Sequence, residues 1–221
     1  MFSNEKVLNI EPVRYRTMTE NIVENLRDSI IFGEIEQGTR ITETELAEMM
    51  GVSRNVIREA ILILSNEGLI VKERNKFSKV IKFEKRDVEN IFELRRAVEK
   101  AAVKRFVESP FLCDELAKYA ADIEKNIVNK DSKYSGLIRT DIDFHSYIVE
   151  AADNRWLSDT WNRIIGPVRL LLYAHMNDDQ ATKSSHSGLV EVFRSGDYRK
   201  ACQALDDHIQ NTADVLIKRV E

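Results

Sequence analysis

Cysteine is almost missing from this sequence: Cys113 and Cys202 are the only two in 221 residues, with no C-x-x-C spacing. Neither a disulfide framework nor a zinc ribbon is indicated. Long apolar runs are missing as well. The opening MFSNEKVLNIEP contains none of the length a signal peptide or a membrane span needs, which predicts a cytoplasmic protein with no membrane partner. With 3 Pro and 8 Gly there is little to interrupt helices, and 43% hydrophobic with 32% charged residues is the balance of a folded, mostly α-helical chain, not a disordered one. Net positive charge is also lacking, the formal balance being -4, which excludes a wholly basic nucleic-acid binder. The average hides a local asymmetry. Between Ser53 and Lys82 seven Lys or Arg (54, 58, 72, 74, 76, 79, 82) face three Glu (59, 67, 73). The length leaves room for two modest domains, each with its own core.

The first of these reads as three helices and a hairpin. Residues 19 to 32, TENIVENLRDSIIF, place Ile22, Val23, Leu26 and Ile30 on one helical face. Thr42 with Glu45 three residues on is a capping box for a short helix to Met50, which Gly51 can end in the left-handed conformation. Ser53 then caps a third helix whose buried side is Ile57, Ala60, Ile61 and Leu64. Helix, short turn and helix is the arrangement that lays its second helix in a DNA major groove, and Arg54, Asn55 and Arg58 fall on the face left exposed. Arginine forks onto guanine or phosphate, and asparagine bonds an adenine edge twice. Beyond Gly68, LIVKE and SKVIKF read as two strands around a basic turn, Arg74-Asn75-Lys76.

On those residues the chain resembles the winged-helix reader of the GntR family of bacterial transcriptional regulators across residues 14 to 83. The resemblance rests on FGEIEQGTRI, ETELA, GVSRNVIREA and EGLI. It implies a winged helix-turn-helix DNA-binding domain in which Thr44, Ser53, Arg54, Asn55 and Arg58 face the operator. The wing tip, Arg74, Asn75 and Lys76, enters the neighbouring groove. Many members carry Gly at the tip where this chain has Asn75.

From Asp87 onward the pattern changes to long helices, expected at about 87 to 108, 113 to 128, 134 to 152, 155 to 174, 183 to 194 and 198 to 219, with caps or turns between them. Six helices joined by short loops make an antiparallel all-α bundle. Its acids and imidazoles sit on the buried faces. Asp141 and His145 are one turn apart on the side marked by Ile138, Ile142 and Val149, His186 continues the face of Leu189, Val190 and Phe193, and His208 sits among Ala201, Leu205 and Ile209. His186 lies ten residues before Gly196 and His208 twelve after it, so at ~1.5 Å per residue the two share a height in the bundle. Four inward polar groups would each cost about 1 to 3 kcal/mol if unpaired, and one shared divalent ion removes that cost. Three imidazoles and a carboxylate suit zinc, and also nickel, manganese or iron. His175, near a helix end, reads as an exposed or capping residue.

This half resembles the FCD ligand-binding domain found with the GntR reader in the FadR subgroup, over residues 87 to 219. The matching features are ELRRAVE, the D-x-x-x-H of DIDFH, the Ala-Asp-Asn turn at 152 to 154, and the paired histidines flanking Gly196-Asp197. The resemblance implies that Asp141, His145, His186 and His208 bind the metal, that a small organic acid effector completes its shell, and that Arg95 meets the effector carboxylate; the ring of Tyr173 or a neighbour is a candidate for the pocket wall that no motif carries over. The function expected is that of a homodimeric repressor on a palindromic double-stranded DNA operator, responsive to a metabolite and not an enzyme. Two alternatives stand beside it: a metal-dependent hydrolase, and a metal-free dimerising DNA-binding protein.

Overall fold

A computed structural model describes residues 16–72, 77–128, 134–175 and 186–220. Nine helices and a small three-stranded sheet occur among them. Helix α1 (Met18–Ile31) opens with a capping box, Thr17 and Glu20 bonding each other's backbone N–H, and buries Ile22, Val23, Leu26 and Ile30. Helix α2 (Glu43–Met50) is capped by Thr42 and ends at Gly51, whose φ of 65° is the left-handed turn anticipated for it. Ser53 follows as the N-cap of α3 (Arg54–Asn66), which buries Ile57, Ala60, Ile61 and Leu64. Strands β2 (Ile70–Lys72) and β3 (Ser78–Val80) pair antiparallel as expected. A further strand, β1 (Arg40–Ile41), pairs with β3 through Arg40↔Lys79 and Ile41↔Ser78, giving the order β1-β3-β2. Two residues show no alternation, so nothing local announces β1; its partner creates it.

The bundle comprises α4 (Lys85–Val107), α5 (Pro110–Val128), α6 (Tyr134–Glu150), α7 (Arg155–His175), α8 (His186–Arg194) and α9 (Tyr198–Ile217). Helix α4 starts slightly earlier than Asp87, because the Asp87 carboxylate accepts from the Glu84 N–H at 2.9 Å and so draws the first turn back. Helix α5 likewise begins at Pro110, a residue suited to the first helical position, where its missing N–H costs nothing. The expected start of α8 at 183 lies outside the described residues. Helix α4 packs on α9, α7 and α6, and α5 on α6 and α8, so the inward faces of α4, α6, α8 and α9 enclose one space.

The reader and the bundle are welded together. The larger cluster of buried apolar residues includes Leu26, Leu64 and Leu69 on one side and Phe92, Leu171 and Leu216 on the other. At the seam two backbones meet. A Cβ on Gly166 of α7 would stand 2.7 Å from the Glu67 carbonyl oxygen, and one on Gly68 would stand 2.8 Å from the Arg163 carbonyl oxygen and 2.9 Å from Pro167 Cγ. Pro167 explains the second approach: with no N–H of its own, it leaves the Arg163 carbonyl four residues back without its helical donor. That carbonyl faces the Gly68 Cα instead.

Candidate metal centre and DNA-reading face

The first turn of α3 presents Arg54, Asn55 and Arg58 to solvent, with Ser53 exposed just before it and Thr44 half-buried on α2. The Ser53 hydroxyl is engaged by the Val56 N–H at 3.4 Å, so its observed work is capping. Arg58 is paired. Its Nε donates to both oxygens of Glu43 at 3.0 and 3.1 Å, Nη2 donates to Glu43 Oε2 at 2.7 Å, and Nη1 reaches Asn55 Oδ1 at 3.4 Å. This bidentate contact with Arg58 holds the Glu43 carboxyl below its usual range. Glu43 escapes sequence reading because its partner lies on the next helix. Arg74, Asn75 and Lys76 lie outside the described residues.

Inside the bundle the four expected donors converge. Asp141 and His145 project from successive turns of α6, His186 opens α8, and His208 lies midway along α9. One donor atom from each lies within 4.8 Å of all the others. His145 Nε2 is 3.2 Å from His208 Nε2, and Asp141 Oδ1 is 3.0 Å from His186 Nε2 and 4.0 Å from His145 Nε2. The ring centroids of His186 and His208 stand 4.6 Å apart, as the matched heights about Gly196 require. Phe144 packs edge-on against both His145 and His186 and helps fix their planes.

These residues fit a divalent ion. His186 Nε2 is buried and has no partner but the Asp141 carboxylate, whose Oδ1 is 3.0 Å away. The spacings of 3.0 to 4.0 Å in three of the donor pairs are near those around a cation with bonds of about 2.0–2.2 Å. Protonation agrees with the donor role. Burial pushes the imidazoles of His145 and His208 below their ordinary range, His208 further because His186 and His145 are its neighbours. Burial works against charge on Asp141, but the contact with His186 and the neighbouring His145 and Arg95 outweigh it and hold the carboxyl well below the carboxylate range. Neutral imidazoles and an ionised carboxylate are the metal-binding forms.

Two residues behind the donors complete the geometry. Glu99 is wholly buried, with Oε2 2.5 Å from His145 Nδ1 and Oε1 accepting from Arg95 Nε at 2.7 Å. Burial opposes its charge, yet His145 and Arg95 more than compensate and keep it ionised. Arg95 is 2% exposed, with its guanidinium over the rings of Phe92 and Trp161. The structure thus places Arg95 beside the centre, as the partner of an acid that sequence reading missed. The signal was present: Arg95 and Glu99 interrupt the apolar stripe of Val88, Phe92, Ala102 and Phe106 one turn apart, with opposite charges. Tyr173 is elsewhere, set edge-on to Phe32 and lining a cavity of about 470 Å³ where α1 meets the end of α7. His175 ends α7 half-buried, and its carbonyl accepts from Arg219.

Comparison with known proteins bears on both halves. Residues 18–80 match the model for bacterial regulatory proteins of the gntR family, and residues 90–211 match that for the FCD domain. The chain is 30% identical over 200 residues to the uncharacterized HTH-type transcriptional regulator YdhC of Bacillus subtilis, covering 86% of this chain and 87% of that protein. It is 26% identical to the gluconate operon transcriptional repressor of the same organism, covering 86% of this chain and 81% of that one. Among solved structures, a GntR transcriptional regulator of Rhodococcus sp. RHA1 superposes with a TM-score of 0.76 at 22% identity, covering 92% of this chain and 99% of the other. McbR/YncC of E. coli follows at 0.71 and 21%, with 92% and 99% covered. At those identities the structural likeness concerns the fold.

Proposed function

The chain belongs to the gntR family of bacterial transcriptional regulators with an FCD domain, and from that premise we propose that it is a repressor whose hold on DNA answers to a small carboxylate bound at a divalent metal. DNA-binding regulation is common to the family; the metal, the effector and the sign are our reading. In it, residues 14 to 83 read DNA and residues 87 to 219 sense and dimerise.

The observation that carries this reading is the convergence of Asp141, His145, His186 and His208 in a bundle fused to an exposed reading helix. Zinc fits three nitrogens and one oxygen, with nickel, manganese and iron as other fits. When bound, the ion supplies a positive centre to which a carboxylate can coordinate. The chain does the rest. His145, His186 and His208 are buried, whereas the Asp141 side chain is 26% exposed, so Asp141 marks the side from which a small molecule reaches the centre. Arg54, Asn55 and Arg58 meet one half-site, and a two-fold dimer places a second reader on the other half of a palindrome. Repression is supported by the likeness to the gluconate operon repressor. Hydrolysis is less well served: Glu99, the buried acid next to the centre, has both oxygens engaged and is not placed to act on a water.

Selection from a random duplex pool, with zinc present, tests the reading. It should enrich an inverted repeat, and one small organic acid from a panel should release the protein from that repeat while raising its melting midpoint. Failure to enrich any repeat would overturn the DNA role. Enrichment with no response to any acid, with or without metal, would overturn the sensing role.

A further inference from the structure

We propose that Glu99, backed by Arg95, is a positioning residue that fixes the tautomer of His145 and so makes its Nε2 a donor; the proposal rests on the metal-centre reading above. A neutral imidazole carries one proton, and only the ring nitrogen without it can bind a cation. At His145 the choice is imposed from behind. Nδ1 lies 2.5 Å from Glu99 Oε2, and an ionised carboxylate can only accept, so the proton resides on Nδ1. The lone pair is left on Nε2, the atom 3.2 Å from His208 Nε2 and 4.0 Å from Asp141 Oδ1.

Arg95 makes the arrangement one-way. Its Nε–H is permanently a donor and occupies Glu99 Oε1 at 2.7 Å, so the acid cannot turn that oxygen to another use. Arg95, Glu99 and His145 are exposed by 2%, 0% and 0%, so bulk water does not substitute for any member of the chain. Glu99 and His145 come from different helices, α4 and α6, and the bond between them also sets the plane of the ring.

The substitution Glu99→Gln tests the logic because glutamine offers one acceptor and one donor where glutamate offers two acceptors. Arg95 claims the amide oxygen. The amide NH₂ then faces His145 Nδ1, which must become the acceptor, and the ring proton moves to Nε2 where it blocks the donor position. Two readouts follow, on protein first stripped with EDTA. Ring nitrogen-15 shifts, with the His145 signal identified by its loss in His145→Gln, should show Nδ1–H in the wild type and Nε2–H in Glu99→Gln. Zinc titration against a competing chelator should show affinity weakened about 10–100-fold in Glu99→Gln. Glu99→Asp remains all-acceptor; it should keep the Nδ1–H form with an intermediate affinity, and it carries the test if Glu99→Gln fails to fold.

An Nε2–H signal for His145 in the wild type would overturn the proposal, as would wild-type zinc affinity in Glu99→Gln. Absence of zinc binding by the wild type, with the Nδ1–H signal in place, would instead overturn the metal-centre reading, and this role with it.

Discussion

Replacing Gly166 by alanine should loosen the joint between reader and bundle. The added methyl group would stand 2.7 Å from the Glu67 carbonyl oxygen and 3.1 Å from Leu69 Cγ, whereas ordinary contact begins near 3.4 Å. The obstacle is backbone, at the end of α3, and cannot rotate aside as a side chain would. Overpacking of this kind costs about 1–3 kcal/mol. Alanine in a helix interior returns about 1 kcal/mol over glycine, so the net loss is about 0–2 kcal/mol. At ~2–4 °C per kcal/mol for a chain of this size, the melting midpoint should fall by up to about 8 °C. Gly136 on α6 supplies the control, because its added methyl would meet nothing nearer than Asn126 Oδ1 at 3.8 Å. Gly136→Ala should melt at or slightly above the wild type. Thermal unfolding by far-UV circular dichroism compares the three proteins, and a Gly166→Ala variant that melts as high as Gly136→Ala would refute the contact between the two backbones.

Arg58→Ala should weaken operator binding and lower the salt slope by about one while leaving the melting midpoint unchanged, since its side chain is 59% exposed; equal affinity at ~150 mM salt would contradict its placement on DNA. The metal-free protein should also be acid-sensitive. His145 and His208 have folded-state values depressed below the usual 6.5, so the unfolded chain binds more protons and their contribution, complete above that value, drains away as pH falls below it. With EDTA present the midpoint should hold from about pH 8 to pH 7 and drop by about pH 5; a flat or rising midpoint across that lower range would count against neutral imidazoles in the core.

What could be read in advance depended on the range of the cause. Thr42, Gly51 and Ser53 act within four residues of themselves and each caps or ends its helix as its spacing says, although the Thr42–Glu45 box is only half formed, the Glu45 carboxylate accepting from the Thr42 hydroxyl in place of its backbone N–H. The four converging side chains of the candidate metal centre are legible for a related reason. Asp141 and His145 share a helical face, and the hairpin about Gly196 fixes the relative height of His186 and His208, so helical geometry alone brings the set close. Residues whose roles come from another element were not accessible in this way. Strand β1 exists because β3 runs beside it, Glu43 matters because Arg58 reaches across from α3, and Gly68 and Gly166 are small because two backbones remote in sequence touch. Arg95 is reached through the family resemblance and pairs with Glu99 one turn along α4, but the contact of Glu99 with His145 needs the fold of α4 against α6.

Under the proposed function, in which Arg58 meets DNA, the Arg58–Glu43 pair has a consequence for how the reader docks. A guanidinium that waved freely would surrender rotational freedom at each encounter with any phosphate. Here much of that freedom is already given up when the domain folds, and Glu43 occupies the fork with the geometry a phosphate or a guanine edge would offer. Docking then becomes a trade of partners. Random backbone offers little more than the carboxylate it displaces, so such contacts gain little and release quickly. A site that accepts the fork in the direction Glu43 has already set is retained. Under that proposal the acid beside Arg58 is a threshold that a DNA sequence must exceed.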